Sequence, residues 1–591
     1  MVVFVPLGTR DRVLAGDGIH SEIIILENEG RGKSCFPLNI LKEELTVTGI
    51  KRVFKVHGKP FFPLGGQAGD ASAYNKVDTE LAFKAIKLLH GNTLSIGVYW
   101  EIIEPTEGKF DFTLIDNLLA SARRHNLKLI LDWFATWKCG NMDYAPDWVK
   151  TNPRRFRRVI APTGMALFTL SPHCQANFEA DKKAFTALCN HLKVKDSSEQ
   201  TVIGIQVENE SGILGSDRDY GPEAQAVFDS PVPAKLVASM KTAGKGRVYD
   251  LWQQAGGKKS GTWPELFGWS AGELMSTWSV ATYHDGLAEA GKAIYHIPMY
   301  INAWTMESVR PEFRWMTPGE CYPSGGPVTK VLDIYKWFTP HIDLIAPDIY
   351  VLVGSRFDST LAAYAFDGNP LFMPESSGDP PPELFRAIAD YNLIGFFIMG
   401  SLECLVAEDG SLNPQSRIGV DTIRCVAAAI PLLLKYQGTG KVQAVIQEGF
   451  ELAQVLDMDG YLGSILFGEG AAAFASKDWR YSKPMPELSP ERPPIKRGYG
   501  LVIQASKNEF YLVGSNYQLF LRPKLPPEKM LDATFLSEWM QFSLNHPNRI
   551  DEGHFDQNGK FIVDRHRNGG SICSGVWVES DTGVVRVITG D

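Results

Sequence analysis

The sequence predicts an α/β protein, a (β/α)8 TIM barrel followed by a β-rich, sandwich-like C-terminal region. Three observations predict it. From about residue 51, eight short apolar runs of strand length alternate with segments of helical periodicity; several of these runs close on polar residues; beyond about residue 410 the alternation gives way to closely spaced strand-like runs.

The strands are read at Phe61–Gln67, Asn92–Trp100, Leu127–Phe134, Thr201–Glu210, Ile297–Trp304, Ile342–Tyr350, Pro370–Ser376 and Ile394–Ser401. Amphipathic helices are expected between them at Asp78–His90, Leu114–His125, Ala176–Leu192, Ser270–Ala290, Val328–Phe338 and Pro382–Tyr391, with long insertions after the third and fourth strands. A last helix, Val420–Tyr436, precedes strand-like runs at Lys441–Gln447, Leu452–Leu456, Tyr461–Phe467, Leu501–Gln504 and Phe510–Val513. Five prolines in Ser482–Arg497 mark an exposed connector. The expected organisation is an N-terminal extension over residues 1–45, the barrel over 46–410 and the β-rich domain over 411–591.

Composition narrows the function. A net charge of −9 and a pI near 5.8 give no concentrated basic surface for nucleic acid, and Arg154-Arg155-Phe156-Arg157-Arg158 reads as a solvated loop. The eight cysteines are scattered without a C-x-x-C pair, so no metal site is expected and reduced, buried thiols are. The start, MVVFVPLGTRDR, has no basic region before an apolar one, and no later stretch is apolar for 18 residues. The expectation is a cytoplasmic protein without a membrane span; a truncated start would leave secretion open, and homo-oligomerisation is left open. Gly65-Gly66 opens no dinucleotide fingerprint, His284 and His296 lack ligand spacing, and Ser376-Ser377 has no nucleophile elbow, so no cofactor is expected.

In such a barrel the active site forms at the C-terminal ends of the strands. Here those ends read Val98-Tyr99-Trp100-Glu101, Val207-Glu208-Asn209-Glu210, Ile301-Asn302-Ala303-Trp304, Pro347-Asp348-Ile349-Tyr350 and Met373-Pro374-Glu375-Ser376, so carboxylates, amides and aromatics converge on one rim. Cleaving a glycosidic bond through a covalent intermediate needs two carboxyl groups about 5–5.5 Å apart, one protonated and one ionised. Glu210 and Glu375, ending the fourth and seventh strands, should face the same mouth and can meet that requirement. Asn209 sets an amide beside Glu210, where it can bond a sugar hydroxyl.

Val98-Tyr99-Trp100-Glu101-Ile102-Ile103-Glu104-Pro105, Glu107-Gly108-Lys109-Phe110-Asp111-Phe112 and Gln206-Val207-Glu208-Asn209-Glu210 resemble the β-galactosidases of glycoside hydrolase families 35 and 42 in clan A. The nearer likeness is the family 35 branch with a DUF5597-type C-terminal region, and it spans about residues 46–590. The resemblance implies a retaining exo-β-glycosidase with Glu210 as acid/base, Glu375 as nucleophile, Asn209 on the sugar 2-hydroxyl and Tyr350 holding the nucleophile. It places Glu101 and Trp304 in the subsite for the non-reducing sugar, the alternative for both being rim packing or a local ion pair. Trp100, Asn302 and Trp133 complete the candidate sugar contacts, an aromatic face suiting the apolar face of a sugar. The motifs depart from family 35 at Ile103-Glu104-Pro105, at Ser211-Gly212 after Glu210, at Gln67-Ala68-Gly69-Asp70 and at Phe396-Phe397-Ile398-Met399-Gly400. These positions border the sugar pocket, so the likeness reaches catalytic type further than sugar identity. β-Glucoside or arabinopyranoside hydrolysis, transglycosylation, and an inactive carbohydrate-binding barrel stay open beside β-galactoside hydrolysis.

Overall fold

Runs that are apolar along their whole length are strands covered on both faces, which is the environment of a parallel sheet wrapped by helices. A computed structural model describes residues 44–46, 49–51, 53–306, 317–350, 354–378, 382–400, 402–449, 451, 453–467, 497–524, 547–567 and 575–590. Seven strands form one parallel sheet in the order sixth, fifth, fourth, third, second, first, eighth: Leu344–Asp348, Met299–Trp304, Val202–Asn209, Lys128–Lys138, Thr93–Tyr99, Leu64–Gln67 and Phe396–Ile398. Residues 371–376 close the ring. Met373 bridges Phe396 of the eighth strand and Ser376 bridges Ile349 beyond the sixth, both in parallel. All eight expected strands are therefore staves of one closed barrel, with a correction at the third, which runs four residues past Phe134 to Lys138.

Around it lie α1 (Lys76–Leu88), α2 (Thr113–His125), α3 (Gln175–Asp196), α4 (Ala271–Ile294), α5 (Leu332–Phe338), α6 (Gly354–Tyr364) and α7 (Leu384–Asp390). The Asn75 side chain caps α1 by accepting the Asp78 N–H at 2.8 Å, and Asn126, in the left-handed region at φ 53°, ends α2. Below the barrel, a hairpin of Phe54–Val56 and Lys59–Phe61 pushes Phe54 against Phe372, with ring centroids 5.5 Å apart. Ile130, Ile203, Leu344 and Phe397 complete this bottom core.

The C-terminal part begins with α8 (Arg417–Tyr436) and continues as two antiparallel sheets. A six-stranded sheet runs in the order Val442–Ile446, Tyr499–Ser506, Glu509–Ser515, Val584–Ile588, Arg549–Phe555, Phe561–Arg567. A four-stranded sheet runs Ala453–Met458, Tyr461–Phe467, Tyr517–Pro523, Val576–Val578. Period-two alternation decides what each sheet face covers. Val502 and Leu512 meet Leu456, Ile465 and Leu519 of the smaller sheet in a sandwich core. Leu501, Ile503 and Val513 point the other way and join the barrel's core with Ile423 and Val426 of α8. The proline-rich connector Ser482–Arg497, except Arg497, and most of the N-terminal extension lie outside the described residues. Arg497, at the connector's end, donates to Glu383 at 2.9 Å and to the Gln447 carbonyl. Among the described residues no helix is long and apolar enough to cross a membrane.

Candidate active site

Four barrel strands deliver side chains to one mouth. The Asn209 side-chain amide donates to Glu375 Oε1 at 2.9 Å, Asn302 donates to the same oxygen at 3.2 Å, and the Tyr350 hydroxyl donates to Glu375 Oε2 at 2.9 Å. Asn302 also donates to Asp348 Oδ2 at 2.8 Å, while its carbonyl oxygen accepts the Glu210 backbone N–H at 2.9 Å. Oxygen atoms of Glu210, Asp348 and Glu375 lie within 4.8 Å of one another, and all three residues are buried.

Three buried carboxyl groups this close cannot all ionise. Burial, and then the charge of Glu375, push the Glu210 carboxyl up to about 7. Asp348 is pushed well above its ordinary range by burial and by both glutamates. The compensating cation is Lys138, which donates to Asn209 Oδ1 at 2.9 Å and pairs with Asp70 at 3.1 Å. Burial pulls its ammonium down, but Glu375 and Asp70 more than reverse this and hold it above the usual lysine value. The Cys139 thiol donates to Glu210 Oε2 at 3.2 Å, and burial together with the Glu210 charge keeps it protonated. The carboxylate spacing would admit a cation with oxygen ligands. Glu375, however, is faced on both oxygens by N–H and O–H donors, whose polarity opposes a metal ion, so the arrangement suits protons better.

The other candidate residues fall in different places. Trp304 is half-buried at the end of the fifth strand. Glu101 accepts from the Tyr74 hydroxyl and from Lys150 Nζ at 3.1 Å, an ion pair at the rim. Trp100 and Trp133 are corrections: both are fully buried, the first donating to Glu104 Oε2 at 3.1 Å and the second to Asp181 Oδ1 at 2.9 Å. Their rings leave no surface for a sugar. His284 is a core residue whose Nε2 meets Ser211 Oγ at 2.9 Å, with burial holding it down at about 3. Sequence reasoning missed Lys138, Cys139 and Asp348. The first two lie on and just after the unrecognised end of the third strand, where alternation of Ala135, Thr136, Trp137 and Lys138 was the available signal.

Residues 74–255 match the family described as β-galactosidase, glycoside hydrolase family 42, and residues 423–579 match a domain of unknown function, DUF5597. The first segment contains Asn209 and Glu210; Glu375 lies beyond it. Human β-galactosidase-1-like protein 3 is 28% identical over 178 residues, which cover 28% of this chain and 25% of that protein, so the chain spans about a quarter of this curated relative. Among solved structures, the β-galactosidase of Marinomonas ef1 aligns at 13% identity and a TM-score of 0.42 over 63% of this chain and 62% of that one. The catalytic domain of β-amylase from Paenibacillus polymyxa aligns at 12% and 0.43 over 61% and 97%.

Proposed function

We propose that this chain, with a family 42 segment in the first half of its barrel, is a retaining exo-β-glycosidase acting on terminal β-galactosides. The observation that carries the reading is the separation of Glu210 and Glu375, whose oxygens lie within 4.8 Å. One oxygen of each within that distance favours the roughly 5–5.5 Å spacing of retaining pairs over the roughly 6.5–9.5 Å at which inverting pairs admit a water. Glu210, holding its proton to about pH 7, donates it to the departing oxygen, and Glu375, oriented by Asn209, Asn302 and Tyr350, attacks the anomeric carbon. In the second half-reaction Glu210 takes a proton from water, which releases the sugar from Glu375. The galactose assignment rests on the family match and on the name of the human relative.

The test is hydrolysis of a panel of nitrophenyl glycosides by wild type and by Glu210→Gln and Glu375→Gln. Turnover of the β-galactoside is expected, with Glu210→Gln slower by on the order of 10²–10⁴ and Glu375→Gln impaired at least as far. Near-normal rates in either variant overturn the assignment of that residue. Turnover of a β-glucoside or arabinopyranoside with galactoside at background replaces the sugar, and binding without turnover by wild type replaces the enzyme with a carbohydrate-binding barrel.

A further inference from the structure

Successive side chains of a strand point to opposite faces, yet Asn209 and Glu210 both serve the same mouth. The backbone breaks the alternation. Glu208 and Glu210 sit at φ 62° and 43°, a region that non-glycine residues avoid, and the register against the third strand slips between Val207 and Asn209. The slip strips the third strand of carbonyl partners just where it passes the site. Its three orphaned N–H groups, on Ala135, Thr136 and Trp137, donate instead to the Glu208 carboxyl at 3.3, 3.2 and 2.7 Å. A side chain thus replaces the missing edge of the ladder.

Glu208 in turn leans on Asp181 of α3. Both carboxyls are fully buried and both bind Thr136, whose N–H donates to Glu208 and whose hydroxyl donates to Asp181, so two acids meet in one dry site and a proton between them relieves their repulsion. Asp181 is otherwise surrounded by donors: Trp133 Nε1 at 2.9 Å, Thr136 Oγ1 at 2.7 Å and the Tyr283 hydroxyl at 2.9 Å. Glu208 faces three N–H donors as well, so the charges decide: the hydrogen bond from Glu208 favours a charged Asp181, whose charge in turn keeps the shared proton on Glu208. Burial pushes both groups up, and the charge of Asp181 pushes Glu208 further.

We infer that Glu208 and Asp181 form a shared-proton clamp that seats the third-strand bulge over residues 134–137 against the fourth strand and so holds Glu208 in the conformation that turns Asn209 and Glu210 to the same side. Glu208 is a positioning residue, acting through Glu210. The catalytic consequence rests on the glycosidase reading above; the clamp itself does not.

The experiment uses the full chain with Glu208→Gln, Glu208→Ala, Asp181→Asn, Asp181→Ala and the double alanine variant. Glutamine can donate to Asp181 and still accept the Ala135 and Trp137 N–H groups, losing only the longer Thr136 bond, so Glu208→Gln should keep on the order of ten-fold more kcat than Glu208→Ala. Glu208→Ala should lose on the order of 10²-fold in kcat with little change in KM, as expected for a misplaced catalytic group. Asp181→Asn should also fall, because its new N–H group faces donors. The Glu208→Ala loss should shrink for a dinitrophenyl glycoside, whose leaving group needs little protonation. Equal loss across leaving groups, or Glu208→Gln as damaged as Glu208→Ala, overturns the positioning role. Thermal midpoints give a readout without activity: the double alanine variant should lose clearly less than the two singles combined, and additive losses overturn the clamp. Should wild type cleave no aryl glycoside, the glycosidase reading falls, while the midpoint cycle still decides the clamp.

Discussion

Lys138 and Asp132 show how single residues set the charge state of the mouth. Lys138 opposes the upward shift of Glu210, so replacing it with Met should raise the Glu210 carboxyl above about 7. The alkaline limb of kcat/KM, which reports loss of the proton from the acid in free enzyme, is then expected to move to higher pH while kcat falls. A limb that stays in place, or moves to lower pH, contradicts the electrostatic assignment. Asp132 lies deeper in the barrel, accepting Ser95 Oγ at 2.8 Å, and burial, then the charge of Glu375, push it up to about 8 from 3.8. The folded chain keeps this proton after the unfolded chain has released it, so stability present below about pH 4 is lost as pH rises toward 8. Asp132→Asn removes that loss. Its thermal midpoint should gain on wild type from about pH 5 to pH 8, and a constant gap across this range would contradict the shift.

At the scale of elements, the hairpin beneath the barrel is a packed plug. Phe54→Ala removes a ring that is 1% exposed and should cost about 3–5 kcal/mol, read as a lower denaturation midpoint with an unchanged slope. The eight staves were legible because a sheet covered on both faces leaves nearly unbroken apolar runs, and the rim was legible because each run closed on a polar residue. What escaped was structure that departs from the run. The third strand continues through Thr136 and Lys138, polar residues that a run-based reading takes as an end. The third-strand bulge and the positive φ of Glu208 opposite it have no local signature, since Glu208 is held by the N–H groups of residues 135–137 and by Asp181, all distant from it in sequence. Asp348 closes its strand one turn of the pleat before Tyr350, and only the closed ring brings its oxygens to those of Glu210 and Glu375. Trp100 and Trp133 were drawn to the rim by residue type; the core claimed them through their indole N–H bonds. In the C-terminal part the strands after Val513 went unread because polar residues interrupt their apolar runs, as Gln518, Asp551 and Arg586 do.

Across the whole molecule, the barrel's staves are not equally joined. Residues 371–376 exchange four backbone hydrogen bonds, involving Ile394, Met373, Phe397 and Met399, with the chain around the eighth strand. Toward the sixth strand the described residues show a single one, Ile349 N–H to the Glu375 carbonyl, supplemented by the side chains of Asn369 and Ser376. Mechanically the ring has a seam, and it runs between Tyr350 and Glu375. Denaturant should part the ring there before the helices melt, so hydrolysis should vanish at a lower urea concentration than far-ultraviolet ellipticity; coincident curves would show the seam to be as strong as the rest. The same seam gives the cylinder a direction of give. Widening it by a fraction of an ångström would draw the Tyr350 hydroxyl away from Glu375 before it strained the parallel ladder that joins the fifth and sixth strands.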